Sequence, residues 1–416
     1  MKSIVYVTTT FPTLAWFLEN EVYRLRQRGF RIQVITLRAV STQYQPEHAE
    51  LVTITRAMGS PTSLGSWAAL LKWLVRKPHV LVPEVARILW ASRRSAYALA
   101  GHIGYLPAAA RIADVVEREH IDQVHGAWAH FPATVAYLVA RLTGRTFSMA
   151  GHAGGDIHRT QAFLGEKVRS ARFVTACVRE NADTLRRLGG PGSRVEWIYH
   201  GVDLRRFDGR GRQRGLEPVL LTVGRLAATK GFDVALKALA LLRDRGFTPR
   251  LVMVGDGPLR GMLEGLVHEH RLEQQVDMVG ALNHDRLLPL YRTAWALVMP
   301  SVELANGRRD GIPNVVVEAM AMGLPCVGSR AAGLEEIIVD GENGLLSEAG
   351  NSASLADALE RALRDPAALE TMGSRGRARV IDAFDTDKNI ERLFALFADT
   401  AGEELAADAR AAGGMR

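Results

Sequence analysis

Three stretches in the second half of the chain carry residue types that could hold a phosphorylated ligand. In Val223-Gly224-Arg225-Leu226-Ala227-Ala228-Thr229-Lys230-Gly231, a glycine follows an apolar run and two cations flank the turn. Doubly wound folds bind ligands at the carboxyl ends of their strands, and Arg225 and Lys230 fixed there would neutralise a diphosphate. A basic, solvated loop is the plainer reading of the same residues. In Val254-Gly255-Asp256-Gly257-Pro258-Leu259-Arg260-Gly261, Arg260 stands where the dinucleotide fingerprint has its third glycine. This stretch reads as a tight turn bordering the ligand crevice, or as a turn and nothing more. The third stretch runs from Arg309-Asp310-Gly311-Ile312-Pro313-Asn314-Val315 to Glu318 and Gly323. Pro313 suits a first helical turn and Gly323 a helix end, so a helix is expected between them. Its first turn offers unpaired N–H groups and a positive dipole end to an anion. Asp310 lies just before that end and Glu318 about a turn further in, and both are able to accept hydrogen bonds from ligand hydroxyls. The alternatives are a helix-capping Asp310 and a surface Glu318. Glu318 sits between Val317 and Ala319, where an unpaired buried carboxylate is costly, and this favours a hydroxyl partner.

The elements that must position these residues alternate between short β-branched runs and longer helical stretches, the pattern of parallel sheets with crossover helices. In the first half the strands are expected at Ile4 to Thr8, Arg31 to Leu37, Gln123 to Gly126, Thr146 to Ala150, Phe173 to Ala176 and Val195 to Ile198, with a helix from Phe17 to Gly29. The pattern restarts at Val219 to Val223, Leu251 to Val254, Val276 to Val279, Ala296 to Met299 and Pro325 to Gly328. Two doubly wound domains in series fit this series of strands. The polar, glycine-rich run Gly209 to Gly215 places the boundary near Asp208 to Pro218, which gives domains at 1–205 and 206–382. A last amphipathic helix presents Ile390, Leu393, Phe394 and Phe397 within 383–400, and the Ala/Gly-rich end 401–416 reads as frayed.

Composition narrows the classes. The 416 residues are 47% hydrophobic and 23% charged, which excludes a disordered chain, and two cysteines, Cys177 and Cys326, exclude a disulfide scaffold. No run of apolar residues is long enough to span a bilayer, and the strand-like start after Lys2 is not a signal peptide. A cytoplasmic protein is expected. The net charge of +7 is uneven: residues 1–200 hold 25 Lys+Arg against 14 Asp+Glu, a net of +11, whereas residues 201–416 hold 27 against 31, a net of −4. The first half should therefore meet an anionic partner.

The three stretches together, in this order and at these distances, resemble the donor-binding domain of retaining glycosyltransferases of family 4. In its Thr10-Phe11-Pro12, Ala129-His130-Phe131 and Gly151-His152-Ala153-Gly154-Gly155-Asp156-Ile157 segments the first half resembles the exopolysaccharide and lipopolysaccharide (colanic-acid-type) branch. The resemblance implies a GT-B fold, two Rossmann-like domains facing each other across a cleft, with a C-terminal helix crossing back to the first. It implies sugar transfer from a UDP- or GDP-sugar with retention, without a cofactor or metal. By carry-over, Arg225 and Lys230 hold the diphosphate, Glu318 the ribose, and Asp310 with Gly311, Ile312, Asn314 and Val315 the donor sugar. Leu282 borders the nucleobase, and His152 lies near the reaction centre on the acceptor domain, with Thr10, His130 and Asp156 on the acceptor side. Asp310 is one methylene shorter than the family's usual Glu, and Thr8-Thr9-Thr10-Phe11-Pro12 replaces its glycine-rich first loop.

The chemistry agrees with that carry-over. A nucleoside diphosphate leaving group stabilised by Arg225, Lys230 and a helix end needs no protein acid. Same-face attack by the acceptor hydroxyl, with the leaving phosphate taking its proton and His152 orienting the donor, is the expected mechanism. His152 is alternatively a satisfied core histidine, although Gly151, Gly154 and Gly155 should keep its loop open. Asp385-Thr386-Asp387 opens the last helix and reads as a cap rather than a metal pair, and His268 and His270 point to different sides of a helix. The basic half lacks a nucleic-acid-binding signature. From Arg56 to Arg94 it has seven Lys+Arg and one acid, Glu84, and Arg87, Trp90, Arg94 and Tyr97 would form one basic and aromatic stripe. An anionic membrane surface at the cytoplasmic face of the inner membrane, and a lipid-linked glycan acceptor, are the partners expected. A solvated helix with Trp90 packed on a neighbour, and a catalytically inactive binding subunit on the same fold, are the alternatives.

Overall fold

The computed structural model describes residues 2–399 apart from 14–16, 42–43, 45, 59–62, 153–155, 159–160, 306 and 332. It divides into two compact units. The first comprises residues up to His152, Asp156–Ile198 and the chain from Asn389, and the second chiefly Tyr199–Lys388.

The first unit is built from β1 (Ser3–Thr8), α1 (Phe17–Gln27), β2 (Arg31–Thr36), β3 (Thr55–Ala57), α2 (Leu64–Arg76), α3 (Pro78–Ser92), α4 (Ala96–Arg118), β4 (Gln123–Gly126), α5 (Phe131–Thr143), β5 (Thr146–Gly151), α6 (Leu164–Ser170), β6 (Val174–Ala176), α7 (Arg179–Gly189) and β7 (Val195–Trp197). Its parallel sheet has the order β3-β2-β1-β4-β5-β6-β7, which reverses between β1 and β4. The alternation of β1 decides the layering, because successive side chains of a strand point to opposite faces. Val5 and Val7 join a core with Ile112, Ala133 and Val139 of the helices α4 and α5. Ile4 and Tyr6 join another core with Val22 and Leu25 of α1 and with Ile390, Leu393, Leu396 and Phe397 of the C-terminal helix.

The second unit runs β8 (Val219–Val223), α8 (Phe232–Asp244), β9 (Arg250–Val254), α9 (Arg260–Glu269), β10 (Val276–Gly280), α10 (His284–Thr293), β11 (Ala296–Met299), α11 (Asn314–Ala321), β12 (Cys326–Ser329), α12 (Leu334–Ile337), β13 (Leu345–Ser347), α13 (Ser352–Arg364) and α14 (Pro366–Ala383). Its parallel sheet, β10-β9-β8-β11-β12-β13, reverses between β8 and β11. The final helix α15 (Thr386–Ala398) begins in this unit and from Asn389 belongs to the first. The Asp385 carboxylate accepts from the Asp387 N–H at 2.8 Å, so this pair of acids starts a helix.

Three expectations change. The boundary falls between Ile198 and Tyr199 rather than at 205/206. The glycine-rich run that suggested a linker is stitched down: Arg212 bonds Glu370 at 2.7 Å and the Ala294 carbonyl at 2.7 Å, and Gly209 abuts the Met322 backbone. The basic stripe is also divided, because α3 stops at Ser92 and Tyr97 starts a new helix, where it packs on Phe131 with ring centroids 5.3 Å apart. Third, two short strands, β3 and β13, join the sheets beyond those expected. The tail 401–416 lies outside the described residues.

Candidate active site

In the first unit the polar residues gather at the switch point between β1 and β4. The Ala127 N–H donates to the Val7 carbonyl at 2.9 Å, and the Trp128 indole N–H to the Thr8 hydroxyl at 3.1 Å, which ties the loop after β4 to the end of β1. Asp156 is the hub. Its Oδ1 accepts from the His130 backbone N–H at 3.0 Å and pairs with His130 Nδ1 at 2.7 Å, while Oδ2 accepts from the His152 backbone N–H at 2.8 Å. Burial alone would raise the Asp156 carboxyl, but the His130 hydrogen bond and the two histidines hold it below its ordinary value.

His152 is buried, with its ring 4.6 Å from Trp128 and 5.1 Å from Phe17. Its Nε2–H donates to the Ala127 carbonyl at 2.9 Å, and burial pushes its pKa below the ordinary value, so the imidazole is neutral at pH 7. Asn181 donates to the His152 carbonyl at 3.2 Å and pairs with His158 at 3.0 Å. Lys167 is fully buried: its ammonium donates to the carbonyls of Ala129 and His130 and, at 3.1 Å, to Thr134 Oγ1, and burial pulls its pKa down to about 7. The structure thus brings together His130, His152 and Asp156. Thr10 sits half-buried on the loop after β1 and makes no hydrogen bond among the described residues. Gly151 does not open the loop: a Cβ there would lie 2.8 Å from Leu185 Cδ1, and Gly154 and Gly155 lie outside the described residues.

In the second unit the loops after β8, β9 and β10 are lashed together through their backbones. Gly224 N–H donates to the Val254 carbonyl at 2.9 Å, Gly255 N–H to that of Gly280 at 2.8 Å, and Leu226 N–H to that of Asp256 at 3.0 Å. Contacts this close need glycine. A Cβ on Gly255, whose φ is +141°, would lie 1.9 Å from the Gly224 carbonyl oxygen, and one on Gly231, at φ +62°, 1.9 Å from that of Pro300. Pro300 directly follows β11, so Lys230 is set at the point where the strand order reverses, the usual ligand position of a doubly wound sheet.

Asp310 reaches the same point. Its Oδ2 is 3.1 Å from Lys230 Nζ and its Oδ1 accepts from the Thr229 hydroxyl at 3.3 Å. Arg225 is exposed and has no ion-pair partner among the described residues. Gly311 and Ile312 lead into α11 and Asn314 and Val315 begin it, and its Pro313 cap supplies no side-chain hydrogen bond to the first amides. Those amides and the helix dipole are the chemistry of an anion site. Leu282 lies half-buried just beyond β10. Glu318 is buried inside α11: the Tyr291 hydroxyl donates to its Oε2 at 2.9 Å, and His284 Nε2 stands 3.5 Å from its Oε1. The hydroxyl partner that its burial called for is therefore present within the chain.

Residues 207–379 match the family model described as Glycosyl transferases group 1. This is a group 1 glycosyltransferase domain. The chain is 25% identical over 309 residues to N-acetyl-alpha-D-glucosaminyl L-malate synthase of Bacillus anthracis, covering 71% of this chain and 79% of the relative. It is 30% identical over 206 residues to the putative colanic acid biosynthesis glycosyltransferase WcaL of Salmonella typhimurium, covering 49% of this chain and spanning only 51% of that protein. Among solved structures, Anabaena Alr3699/HepE in complex with UDP-glucose superposes with a TM-score of 0.68 at 18% identity, over 98% of this chain and 100% of that one. Such likeness, with the two parallel sheets, makes the fold GT-B.

In the glycosyltransferase domain, sequence reasoning overlooked Thr229, Tyr291 and His284, and in the first unit Trp128, Asn181 and Lys167. Lys167 left a signal: it stands with Leu164 and Val168 at i, i+3 and i+4 spacing on a buried helical stripe, where a cation needs a purpose. Tyr291 and His284 left none, since nothing in α10 marks the face that meets α11.

Proposed function

We propose that the protein is a retaining glycosyltransferase that moves a hexose-type sugar from a UDP- or GDP-sugar to a lipid-linked or polysaccharide acceptor in cell-surface glycan synthesis, at the cytoplasmic face of the membrane. The observation that carries this reading is the Lys230–Asp310 pair at the switch point beside the side-chain-uncapped start of α11. HepE in complex with UDP-glucose supports a nucleotide sugar as donor, and the colanic acid relative supports a surface glycan as product.

In this mechanism Arg225, Lys230 and the amides of Asn314 and Val315 receive the diphosphate. Charge on the departing phosphate is met by these cations and amides, so neither a protein acid nor a resident metal is required. Asp310 takes hydroxyls of the sugar, Glu318 those of the ribose through lone pairs left by Tyr291 and His284, and Leu282 borders the base. The acceptor oxygen bonds to the anomeric carbon on the face from which the phosphate oxygen leaves, and its proton passes to that oxygen. His130 and Asp156 serve the acceptor. His152, as a neutral imidazole, orients the reactants and takes no proton.

A panel of UDP- and GDP-sugars, screened by thermal shift and then by NMR of the anomeric configuration of the product, tests the reading. Donor binding with a product of retained configuration, unchanged by a chelator and lost in His152→Ala, is expected. Inversion, chelator sensitivity or an unimpaired His152→Ala each removes the corresponding part, and donor binding without any turnover selects the inactive binding subunit.

A further inference from the structure

Helix α2 turns an apolar stripe outward. Leu64, Trp67, Leu71 and Val75, at i, i+3, i+7 and i+11, are 90%, 52%, 63% and 76% exposed, and Leu74 beside them is 41% exposed. The opposite face, Ser66, Ala69 and Trp73, is the one that packs into the unit. On α3, Val82 and Trp90 add exposed apolar surface. Exposed apolar surface on this scale marks a partner.

Charge selects the partner. Lys72 and Arg76 on α2, Arg87 on α3 and Arg93 and Arg94 just after it are exposed, and the Arg93 guanidinium lies 3.9 Å over the Trp90 ring. Three acids meet part of this charge, Asp114 holding Lys72 and the Trp73 indole, Glu117 pairing with Arg76 and the buried Glu84 with Arg87 and Arg141, whereas Arg93 and Arg94 have no acid partner among the described residues. A cavity of about 330 Å³, lined by Arg56, Gly65, Ala69, Arg111, Asp114 and Arg118, opens beside α2, with Glu119 pairing with Arg56 and 3.6 Å from Arg118. A second copy of this face would bring like charges together in an isologous contact, whereas anionic headgroups complement it.

We propose that α2 is an in-plane docking helix for an anionic phospholipid bilayer, with Leu64, Trp67, Leu71 and Val75 entering the acyl boundary and the exposed cations meeting phosphate headgroups. Thirteen residues make a helix about 20 Å long, and its apolar face would sink about 5–10 Å into the boundary layer. The stripe that docks is not the Arg87/Trp90/Arg94/Tyr97 face that the sequence singled out. The proposal deepens the reading of a lipid-linked acceptor, but its test does not use the reaction.

The test is co-flotation of the full chain with vesicles of phosphatidylglycerol and phosphatidylcholine, against phosphatidylcholine alone. Binding to the anionic vesicles is expected, weakened by salt, and Trp67→Glu/Leu71→Glu should lower it at least about tenfold. These side chains are exposed, so the variant's melting temperature and its thermal shift with UDP should match the wild type. Failure to bind either vesicle, or equal binding by the variant, overturns the proposal. So does a concentration-dependent dimer, seen by light scattering, that the variant dissolves without any vesicle binding. Loss of the UDP thermal shift in wild type would instead count against the donor reading alone.

Discussion

Lys230 Nζ and Asp310 Oδ2 stand 3.1 Å apart, so the cation assigned to the diphosphate is already partnered before any ligand arrives. A diphosphate must draw Lys230 away while sugar hydroxyls occupy Asp310. Asp310→Asn should therefore leave binding of free UDP or GDP undiminished and lower sugar transfer at least about a hundredfold. Lys230→Ala should weaken nucleotide binding by about tenfold to a hundredfold, the worth of one charge-assisted hydrogen bond. Calorimetry and a transfer assay read the two effects separately, and equal losses of nucleotide binding in both variants would contradict this division of labour.

Tyr291→Phe removes the hydroxyl that satisfies Glu318 Oε2 while keeping the ring. A buried acceptor then loses a donor, at a cost of about 1–3 kcal/mol in urea unfolding. The double variant Tyr291→Phe/Glu318→Gln should recover part of that loss, because a neutral amide is cheaper to leave under-bonded. No recovery would mean that Tyr291 acts by packing alone.

Acid should destabilise the first unit through two histidines. Burial, then the charge of His152, lowers the pKa of His125 to about 3; burial, then Lys167 and His130, does the same for His102. Unfolded, both titrate near 6.5, so between about 6.5 and 3 the unfolded chain binds more protons, and stability present above 6.5 falls as pH falls. Each contributes a slope of up to about 1.4 kcal/mol per pH unit in that window. His125→Gln should shallow the acid limb of a urea-midpoint profile, and an unchanged limb would show that His125 is protonated when folded.

Gly255→Ala would force a Cβ against the Gly224 carbonyl at a backbone angle that L residues avoid. A loss of at least about 2 kcal/mol in unfolding free energy is expected, with weaker nucleotide binding, since the two loops that shift also set Arg225 and Lys230. Gly265→Ala, on the exposed side of α9 with open space around it, is the control and should be neutral or stabilising.

What was legible in the chain is what lies contiguous in it. The strands β1, β8 and β11 announce themselves as apolar runs, and the Gly224–Gly231 and Asp310–Glu318 stretches carry both ends of their chemistry within a few residues. The boundary was misplaced because Gly209 to Gly215 has the composition of a linker, while its attachments to Met322, Ala294 and Glu370 lie far along the chain. Glu318 announced that it needed a hydroxyl but could not say whose. In α2 the apolar residues do not tell which face looks outward, since a core and an acyl layer ask for the same residues.

Phe397 sits against Tyr6, His125 and Phe173 in the core of the first unit. That core therefore draws on both ends of the chain, whereas almost all of the second unit is one continuous segment from Tyr199 to Lys388. On the ribosome the order of completion is reversed with respect to the order of synthesis: the unit made first waits with an unfilled gap between β1 and α1 until the final helix emerges. A chain that stalls before this helix would leave uncovered the faces of Tyr6, Phe30 and Phe173 on which Phe397 packs.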